Sequence, residues 1–379
     1  MRRFHVQDQL FASSGSNSNT HRTGRENMEK KNLSKTVLFT IILLLATGLF
    51  FGSGLSTALA QAVKPVELKW GHFVPTSHAM HAEVIDPLAK ELEKATEGRV
   101  KITIFPGATL AKPADLYDSA VTGIADFVYT LPAYSPGKMP LSEGPELPFL
   151  FSSAKHVTET LYGLWDKFPE FRKEYGETKM CWIWAGDPGQ LFTKKPVRTM
   201  ADLKGMKIRV HGPATKDLAS AFGASPITSP VGEQYEMLKR GVIDGVFTPW
   251  SASLHFRLYE VTSHATVMNA YVPIMISVMN KETFEKLSPK DKKILDDMLG
   301  KKVAIKGATI YDDLALKSID THKKAGIQVY ELPSAEMEKW RLAADPLYKA
   351  WATKMEGKGL PGKKFFDEMV KISKEVGPK

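Results

Sequence analysis

One arginine stands where a predicted strand turns into a helix, and its chemistry suits anion binding. The segment MKIRV (206–210) alternates like a short strand, and His211-Gly212-Pro213 follows it as the start of a helix. A guanidinium presents a planar fork that meets a carboxylate through two parallel hydrogen bonds, and it stays charged at physiological pH. Arg209 is therefore the leading candidate for a carboxylate-binding residue. The alternative is a surface arginine at a strand end.

Three histidines follow the first predicted strand. His72 and His78 are candidates to hydrogen-bond a hydroxyl or keto oxygen of a ligand. His78 and His81 are three residues apart, a spacing that on a helix also suits a metal ion. No third metal ligand is evident nearby, so we expect neither a metal nor a cofactor.

The rest of the sequence lacks the patterns of a catalytic centre. It contains no G-x-S-x-G and no H-E-x-x-H, and its one cysteine, Cys181, lies mid-strand with no histidine near it in the sequence. We therefore do not expect an enzyme. No cluster of Lys and Arg interleaves with aromatic residues, so nucleic acid is not an expected partner.

The first sixty residues differ from the rest. A basic stretch (Lys30, Lys31, Lys35) precedes an apolar run of about 17 residues, and small residues follow around Ala58 and Ala60. This order predicts a signal peptide at about 28–60 or 28–62, with residues 1–27 as a start-site artefact; a retained membrane anchor is the alternative. From Gln61 onward the chain has 44 basic and 39 acidic residues, a net charge of only +5. We expect a free exported protein, not inserted in the membrane after cleavage.

The remaining chain alternates strands and helices. Predicted strands are VELKWGHF, RVKITIF, DFVYTLP, MCWIWAG, KIRV, GVFTP and PIMISVMN, and the sequence from Ser288 is helical almost to its end, with one strand-like break at GIQVYEL. This alternation predicts an α/β fold with mostly parallel strands. The segments around Gly123-Ile-Ala-Asp126 and Gly241-Val-Ile-Asp244 resemble each other, which favours two similar sheets; the alternative is that all helix–strand junctions look this way.

Several motifs, in order, resemble the DctP family of TRAP-transporter solute-binding proteins: KWGHFVPTSHAMH, GRVKITIFPGATL, SEGPELPFLF, DLKGMKIRV, FGASP, QYEMLKRGVIDGVFTP and MNKETFEKLSPKDKK. The resemblance implies a two-lobed periplasmic-binding-protein fold (type II-like). Each lobe is a mixed sheet flanked by helices, and a long helix spans both. Lobe I would be 63–188 plus 273–312, and lobe II 189–272 plus 313–379, with the ligand cleft between them.

The same resemblance implies a function. The protein would be a periplasmic monomer that closes around an organic acid and delivers it to TRAP membrane permease subunits driven by an ion gradient. A binding lobe that serves a sensor is the alternative partner.

The family typically pairs one arginine with the ligand carboxylate, and that position here is Arg209. Thr248 falls where relatives often carry an asparagine, and Trp250 would form either an apolar wall for the ligand or core. Some relatives have a second arginine after the preceding strand, where this chain reads WAGDPGQ (184–190), with Gln190 as a ligand-binding candidate and Asp187 as a repulsive charge if it faces the cleft. A monocarboxylate is therefore favoured over a C4-dicarboxylate.

Large aromatic residues near the predicted strand ends favour a bulky ligand. Tyr134, Trp184 and Tyr271 join the ligand-binding candidates for this reason, because aromatic walls stack on rings. Trp182 and Trp184 share one strand face, which is either core or ligand cage. An aromatic, keto or hydroxy monocarboxylate is the expected ligand.

Overall fold

A computed structural model describes residues 64–377, and the predicted signal region lies outside them. The strands are β1 (Val66–His72), β2 (Val100–Phe105), β3 (Phe127–Thr130), β4 (Thr178–Ala185), β5 (Gly189–Thr193), β6 (Lys207–Val210), β7 (Ser225–Thr228), β8 (Gly245–Pro249), β9 (His264–Val267), β10 (Ile274–Asn280) and β11 (Gln328–Glu331). No helix within 64–377 is long and apolar enough to cross a membrane.

Fourteen α-helices cover the sheets of this part of the chain. They are α1 (Asp86–Ala95), α2 (Leu116–Val121), α3 (Ala154–Lys167), α4 (Pro169–Lys173), α5 (Met200–Leu203), α6 (Pro213–Ala221), α7 (Gln234–Lys239), α8 (Trp250–His255), α9 (Lys281–Lys286), α10 (Pro289–Met298), α11 (Lys301–Lys324), α12 (Ser334–Ala344), α13 (Pro346–Glu356) and α14 (Gly362–Val376). A π-helix (Met80–Ile85) leads into α1, and 3-10 turns lie at Pro113–Asp115, Pro132–Tyr134, Leu141–Glu146, Val231–Glu233 and Leu258–Glu260.

Local sequence explains several of these boundaries. Ser153, Asn280 and Ser288 stand before α3, α9 and α10, and each side-chain oxygen accepts a hydrogen bond from the backbone N–H three residues on. Pro289 fills the first position of α10, where no intrahelical N–H is needed. Pro169 begins α4 directly after Phe168, so residues 154–173 form two helices rather than one.

The strands form two mixed sheets. Sheet A has the order β2-β1-β3-β10-β4, and sheet B has the order β11-β9-β5-β8-β6-β7. In sheet A, β1 runs parallel to β2 and β3, and β10 runs antiparallel to β3 and β4. In sheet B, β6 runs parallel to β7 and β8, and β5 runs antiparallel to β8 and β9. The two sheets therefore share one arrangement, in which a single antiparallel strand (β10 or β5) lies among strands that run in one direction, as the prediction of mostly parallel strands implied. Sheet B has one further strand, β11, parallel to β9.

The sequence repeat marks equivalent points of the two sheets. Asp126 donates its backbone N–H to Lys69 O at 3.0 Å, and its Oδ2 accepts from Lys69 N at 2.8 Å. Asp244 makes the same two bonds with Lys207, both at 2.8 Å. Each aspartate thus fixes the entry of one strand beside its parallel neighbour. The repeat reflects a shared structural unit rather than a generic junction.

Helix α11 runs alongside both sheets. Its N-terminal half packs on α3 and β4, where Gly307 lies against the ring of Trp184, and its C-terminal half packs on α8. Near its end, His322 Nε2 lies 2.7 Å from Ser253 Oγ of α8. A long helix that contacts the elements of both sheets was predicted.

The C-terminal helices depart from the predicted lobe boundaries. Residues 313–379 were all expected in lobe II, but α13 and α14 pack in the core of sheet A. Phe365, Met369 and Ile372 recur at helical spacing and form one buried face of α14, which packs on α3. The chain therefore returns to the first sheet after Ala344.

Candidate functional site

A cavity lies where segments that follow strands of both sheets meet. Sheet A contributes Leu131 and Tyr134 after β3, and sheet B contributes Arg209 in β6 and Thr248 in β8. It holds about 500 Å³ of empty space including open solvent at its mouth, and the space open to the centre of a water-sized sphere is about 60 Å³. Strand ends that face each other across a cleft are where α/β folds bind ligands.

Arg209 is buried without an acidic partner. The residue is only 2% exposed, and no carboxylate oxygen within 64–377 lies within 4.0 Å of its guanidinium. Its Nε and Nη2 donate to Ser229 O at 2.9 and 2.6 Å, and Nη1 donates to Gln234 Oε1 at 3.4 Å. A guanidinium has five N–H donors, so one N–H remains on each terminal nitrogen. These two form a fork that suits a carboxylate.

Two further buried polar groups, in sheet B and at the start of α7, lack hydrogen-bond partners within residues 64–377. Thr248 Oγ1 and Gln234 Nε2 are buried, and neither has a hydrogen-bond partner among the described residues. Buried polar atoms are normally paired. Thr248 also lines the cavity. Its hydroxyl is a donor that a bound anion would satisfy.

A buried histidine–glutamate pair crosses between the sheets beside Arg209. His211 follows β6, and its Nε2 lies 3.2 Å from Glu146 Oε2; both side chains are buried. Glu146 Oε1 also accepts from Ile274 N of β10 at 2.9 Å. The imidazole of His211 stacks on Tyr271 with ring centroids 5.1 Å apart. The sequence gave no signal for Glu146 as the partner of His211.

Aromatic side chains form much of the wall. Phe73 meets Tyr134 edge-on, with centroids 5.5 Å apart, and Phe256 and Tyr311 line another part of the cavity. Tyr134 Oη accepts from Val231 N at 3.1 Å, which joins the turn after β3 to the turn after β7. Burial raises the pKa of Tyr134, so its hydroxyl stays protonated.

Two histidines lie side by side next to the cavity, and His78 is the one that lines it. The rings of His78 and His255 have centroids 4.2 Å apart. His255 Nε2 accepts from Ala79 N at 3.1 Å, and its Nδ1 donates to Ser251 O at 2.8 Å. Burial lowers the pKa of His255, although Ser251 and Glu83 act in the opposite direction. A neutral His255 therefore bridges the segment after β1 and helix α8.

The lining includes five of the nine predicted site residues: Arg209, Thr248, His78, Tyr134 and Tyr271. It does not include Trp250, Trp184, His72 or Gln190. Trp250 points into sheet B, where it meets Phe192 edge-on. Trp184 packs on Trp182 in the core of sheet A, so the open choice between core and ligand cage resolves to core.

The other two residues outside the lining are held by hydrogen bonds. His72 Nε2 lies 3.0 Å from His81 Nδ1, and burial, followed by the proximity of His81, lowers the pKa of His72 to about 4. Gln190 Oε1 accepts from Met268 N and Asn269 N at 2.8 and 3.0 Å. His72 thus contacts a neighbouring histidine, and Gln190 holds the backbone after β9. Neither side chain lines the cavity.

Asp187 also lies outside the cavity lining. Its carboxylate accepts from the backbone N–H and the hydroxyl of Ser251, at the start of α8. Burial raises its pKa to about 7. The expected repulsion of a second ligand carboxylate by Asp187 is therefore not supported, because this side chain is used to cap a helix.

Comparison with known proteins identifies the family. The sequence profile of bacterial extracellular solute-binding protein family 7, DctP, matches residues 70–354. The chain belongs to this family. A TRAP periplasmic solute-binding protein from Bordetella bronchiseptica, solved with bound (R)-mandelate and (S)-mandelate, is similar in fold with a TM-score of 0.77. It is 30% identical, and the match covers 83% of this chain and 100% of that one.

Two other relatives are also solute-binding proteins. A marine metagenome TRAP solute-binding protein specific for aromatic acid ligands, solved with metahydroxyphenylacetate, is 27% identical with a TM-score of 0.79, covering 83% of this chain and 100% of that one. The 2,3-diketo-L-gulonate-binding periplasmic protein YiaO of Escherichia coli is 27% identical over 284 residues, 74% of this chain and 85% of that protein. The predicted family and the two-lobed fold class are confirmed. DctP proteins are solute-binding proteins rather than enzymes.

Proposed function

We propose that this DctP protein binds an aromatic monocarboxylate between its lobes and delivers it, in the periplasm, to a TRAP-type permease driven by an ion gradient. The observation that carries the proposal is the buried, unpaired Arg209 in an aromatic-walled cavity. A buried cation without a counter-ion is costly. A ligand carboxylate on its free fork would supply the missing charge, with Thr248 as a further donor.

The charge of the lining favours one carboxylate. Within residues 64–377, Arg209 is the one lysine or arginine that lines the cavity. His211 already faces Glu146 at 3.2 Å. A second carboxylate would be buried without a cation, so C4-dicarboxylates fit less well than monocarboxylates.

Two relatives support the aromatic part of the proposal. Their structures hold mandelate and metahydroxyphenylacetate, both of which carry one carboxylate and one ring. The wall of this cavity offers Phe73, Tyr134, Phe256 and Tyr311 for ring contacts. The proposal extends that ligand class to this chain.

Calorimetry on variants of Arg209 tests the carboxylate contact. The protein from Gln61 onward is unfolded and refolded to remove carried ligand, then screened by thermal shift against aliphatic and aromatic mono- and dicarboxylates. Arg209→Lys keeps the charge but loses the fork, so we expect at least about tenfold weaker binding of the best monocarboxylate. Lys207→Gln, an exposed change in the same strand, is the matched control and should bind as the wild type does.

Two results would count against the proposal. Equal affinity of Arg209→Lys and wild type would remove Arg209 from the carboxylate site. Thermal shifts with C4-dicarboxylates alone would show that a second cationic partner completes the site. Loss of uptake of the identified acid in a deletion strain then tests the permease partnership.

A further inference from the structure

His78 presents a donor to the cavity that no described residue accepts. The residue is 3% exposed and lines the cavity. Its Nδ1 accepts from Met80 N at 3.1 Å. In a neutral imidazole that accepts at Nδ1, the proton is on Nε2. Within residues 64–377, no hydrogen bond to His78 Nε2 is formed.

The environment of His78 keeps the ring neutral and fixed. Burial lowers its pKa well below 6.5, and His255, His72 and His81 lower it further. The ring stacks near His255 and meets Tyr311 with centroids 6.1 Å apart. Because His255 is itself held by two hydrogen bonds, the Nε2–H donor has a preset direction.

His78 and Arg209 line the cavity from different sheets, His78 after β1 of sheet A and Arg209 in β6 of sheet B. The aromatic neighbours of His78 are His255, Phe256 and Tyr311. None of these three is a hydrogen-bond partner of the guanidinium, which donates to Ser229 and Gln234. A ligand that reaches both therefore has two polar ends with an apolar part between them.

We propose that His78 selects monocarboxylates that carry a hydroxyl or carbonyl oxygen remote from the carboxylate, by donating Nε2–H to that oxygen. This inference rests on the proposed function and names its ligand more closely. The neutral Nε2–H of His78 suits an uncharged hydroxyl or carbonyl oxygen. A second ligand carboxylate at this position would be buried beside an uncharged group, which is costly. A ligand without the oxygen would leave the donor unsatisfied, which corresponds to roughly tenfold weaker binding.

Matched ligands and variants test the inference by calorimetry. The probes are benzoate, phenylacetate and their hydroxy derivatives with the hydroxyl at each ring position. We expect the wild type to prefer at least one hydroxylated acid by about tenfold over its parent. His78→Phe keeps an aromatic ring without the N–H, so this preference should fall below about twofold.

Two further variants make the result specific. His78→Gln restores a neutral N–H donor and should recover part of the preference. His81→Gln changes a histidine of the same segment that contacts His72 and lies outside the cavity lining, so the full preference should remain. Thermal unfolding midpoints show whether each variant is folded.

The outcomes separate this inference from the proposed function. A wild type that binds parent and hydroxylated acids equally, or a full preference that survives in His78→Phe, overturns the role of His78 and leaves the carboxylate site standing. A wild type that binds none of the aromatic acids overturns the proposed ligand class and this inference with it.

Discussion

Gly212, just after β6 of sheet B, lies close to Ala133, in the turn after β3 of sheet A. A single methyl group on Gly212 should therefore oppose closure of the two lobes around a ligand. A Cβ on Gly212 would lie 2.6 Å from the Cβ of Ala133. Ala133 belongs to the turn after β3 of sheet A, and Gly212 follows β6 of sheet B. The backbone of Gly212 is extended, with φ of −167°, so Gly212→Ala adds no conformational strain and acts through this contact alone.

The size of the effect follows from the overlap. Two carbon atoms reach their best contact at about 3.5–4.0 Å, so the segments must separate by about 1 Å. Overpacking of this kind costs about 1–3 kcal/mol. Because each segment belongs to a different lobe, opening the cleft relieves the contact without disturbing either core. The penalty should therefore appear as about 5- to 150-fold weaker ligand binding.

Calorimetry and thermal unfolding together test this reasoning. The Kd of Gly212→Ala for the best acid should rise by that factor, while the unfolding midpoint of the ligand-free protein stays close to wild type. Gly232→Ala is the matched control, because a Cβ there has no neighbour within 4 Å. Unchanged affinity would refute the clash. A lowered midpoint without ligand would show that the two segments stay in contact when the cleft is open.

Two further predictions concern pH and stability. His255 must be neutral to accept a hydrogen bond from Ala79 N. Burial lowers the pKa of His255, despite the opposing effects of Ser251 and Glu83. If this burial forms when the lobes close, closure should release a proton from His255 below pH about 6.5, the ordinary pKa of a histidine. Ligand affinity should thus be constant above pH about 7 and fall toward pH about 5. Calorimetry in buffers of different ionisation enthalpy should detect the released proton. An affinity that does not change between pH about 5 and about 7 would contradict this role of His255. Gly307→Ala gains about 1 kcal/mol of helix propensity, but its Cβ would lie 2.0 Å from Trp184. The overlap should dominate and lower the unfolding midpoint by several degrees, and a raised midpoint in calorimetry would be the opposite result.

The sequence predicted the strands and residues whose signals are local. KIRV alternates charged and apolar residues, and GVFTP is a short segment that begins with glycine and ends with proline; both are strands as expected. Arg209 was identifiable because its type and its place at a strand end are both visible in the sequence. Its partners were not, because Ser229 and Gln234 reach it only after β7 and the following turn fold back.

Other features depend on contacts distant in sequence. Strands β5, β7 and β9 are four or five residues long and were not predicted, because their pairing with neighbouring strands defines them. The return of α13 and α14 to sheet A likewise depends on which apolar face they meet. Trp250 directly follows a strand end, which is where a residue of the cavity wall is expected. However, Trp250 is also the first residue of α8, and that helix determines the direction of its ring.

The two sheets share a unit, yet only one of them supplies a cation to the cavity. Counting from the equivalent aspartates, Arg209 pairs with Val246 in sheet B as Gly71 pairs with Val128 in sheet A. A Cβ at Gly71 would lie 3.1 Å from Leu110 Cδ2 and 3.3 Å from Leu116 Cδ2, so an arginine at this position of sheet A would have to displace these leucines. On the proposed function, the acid end of a ligand would then bind to sheet B, and sheet A would act through neutral groups such as His78. The charge asymmetry between two similar sheets is thus a consequence of packing, and it favours a ligand with one carboxylate.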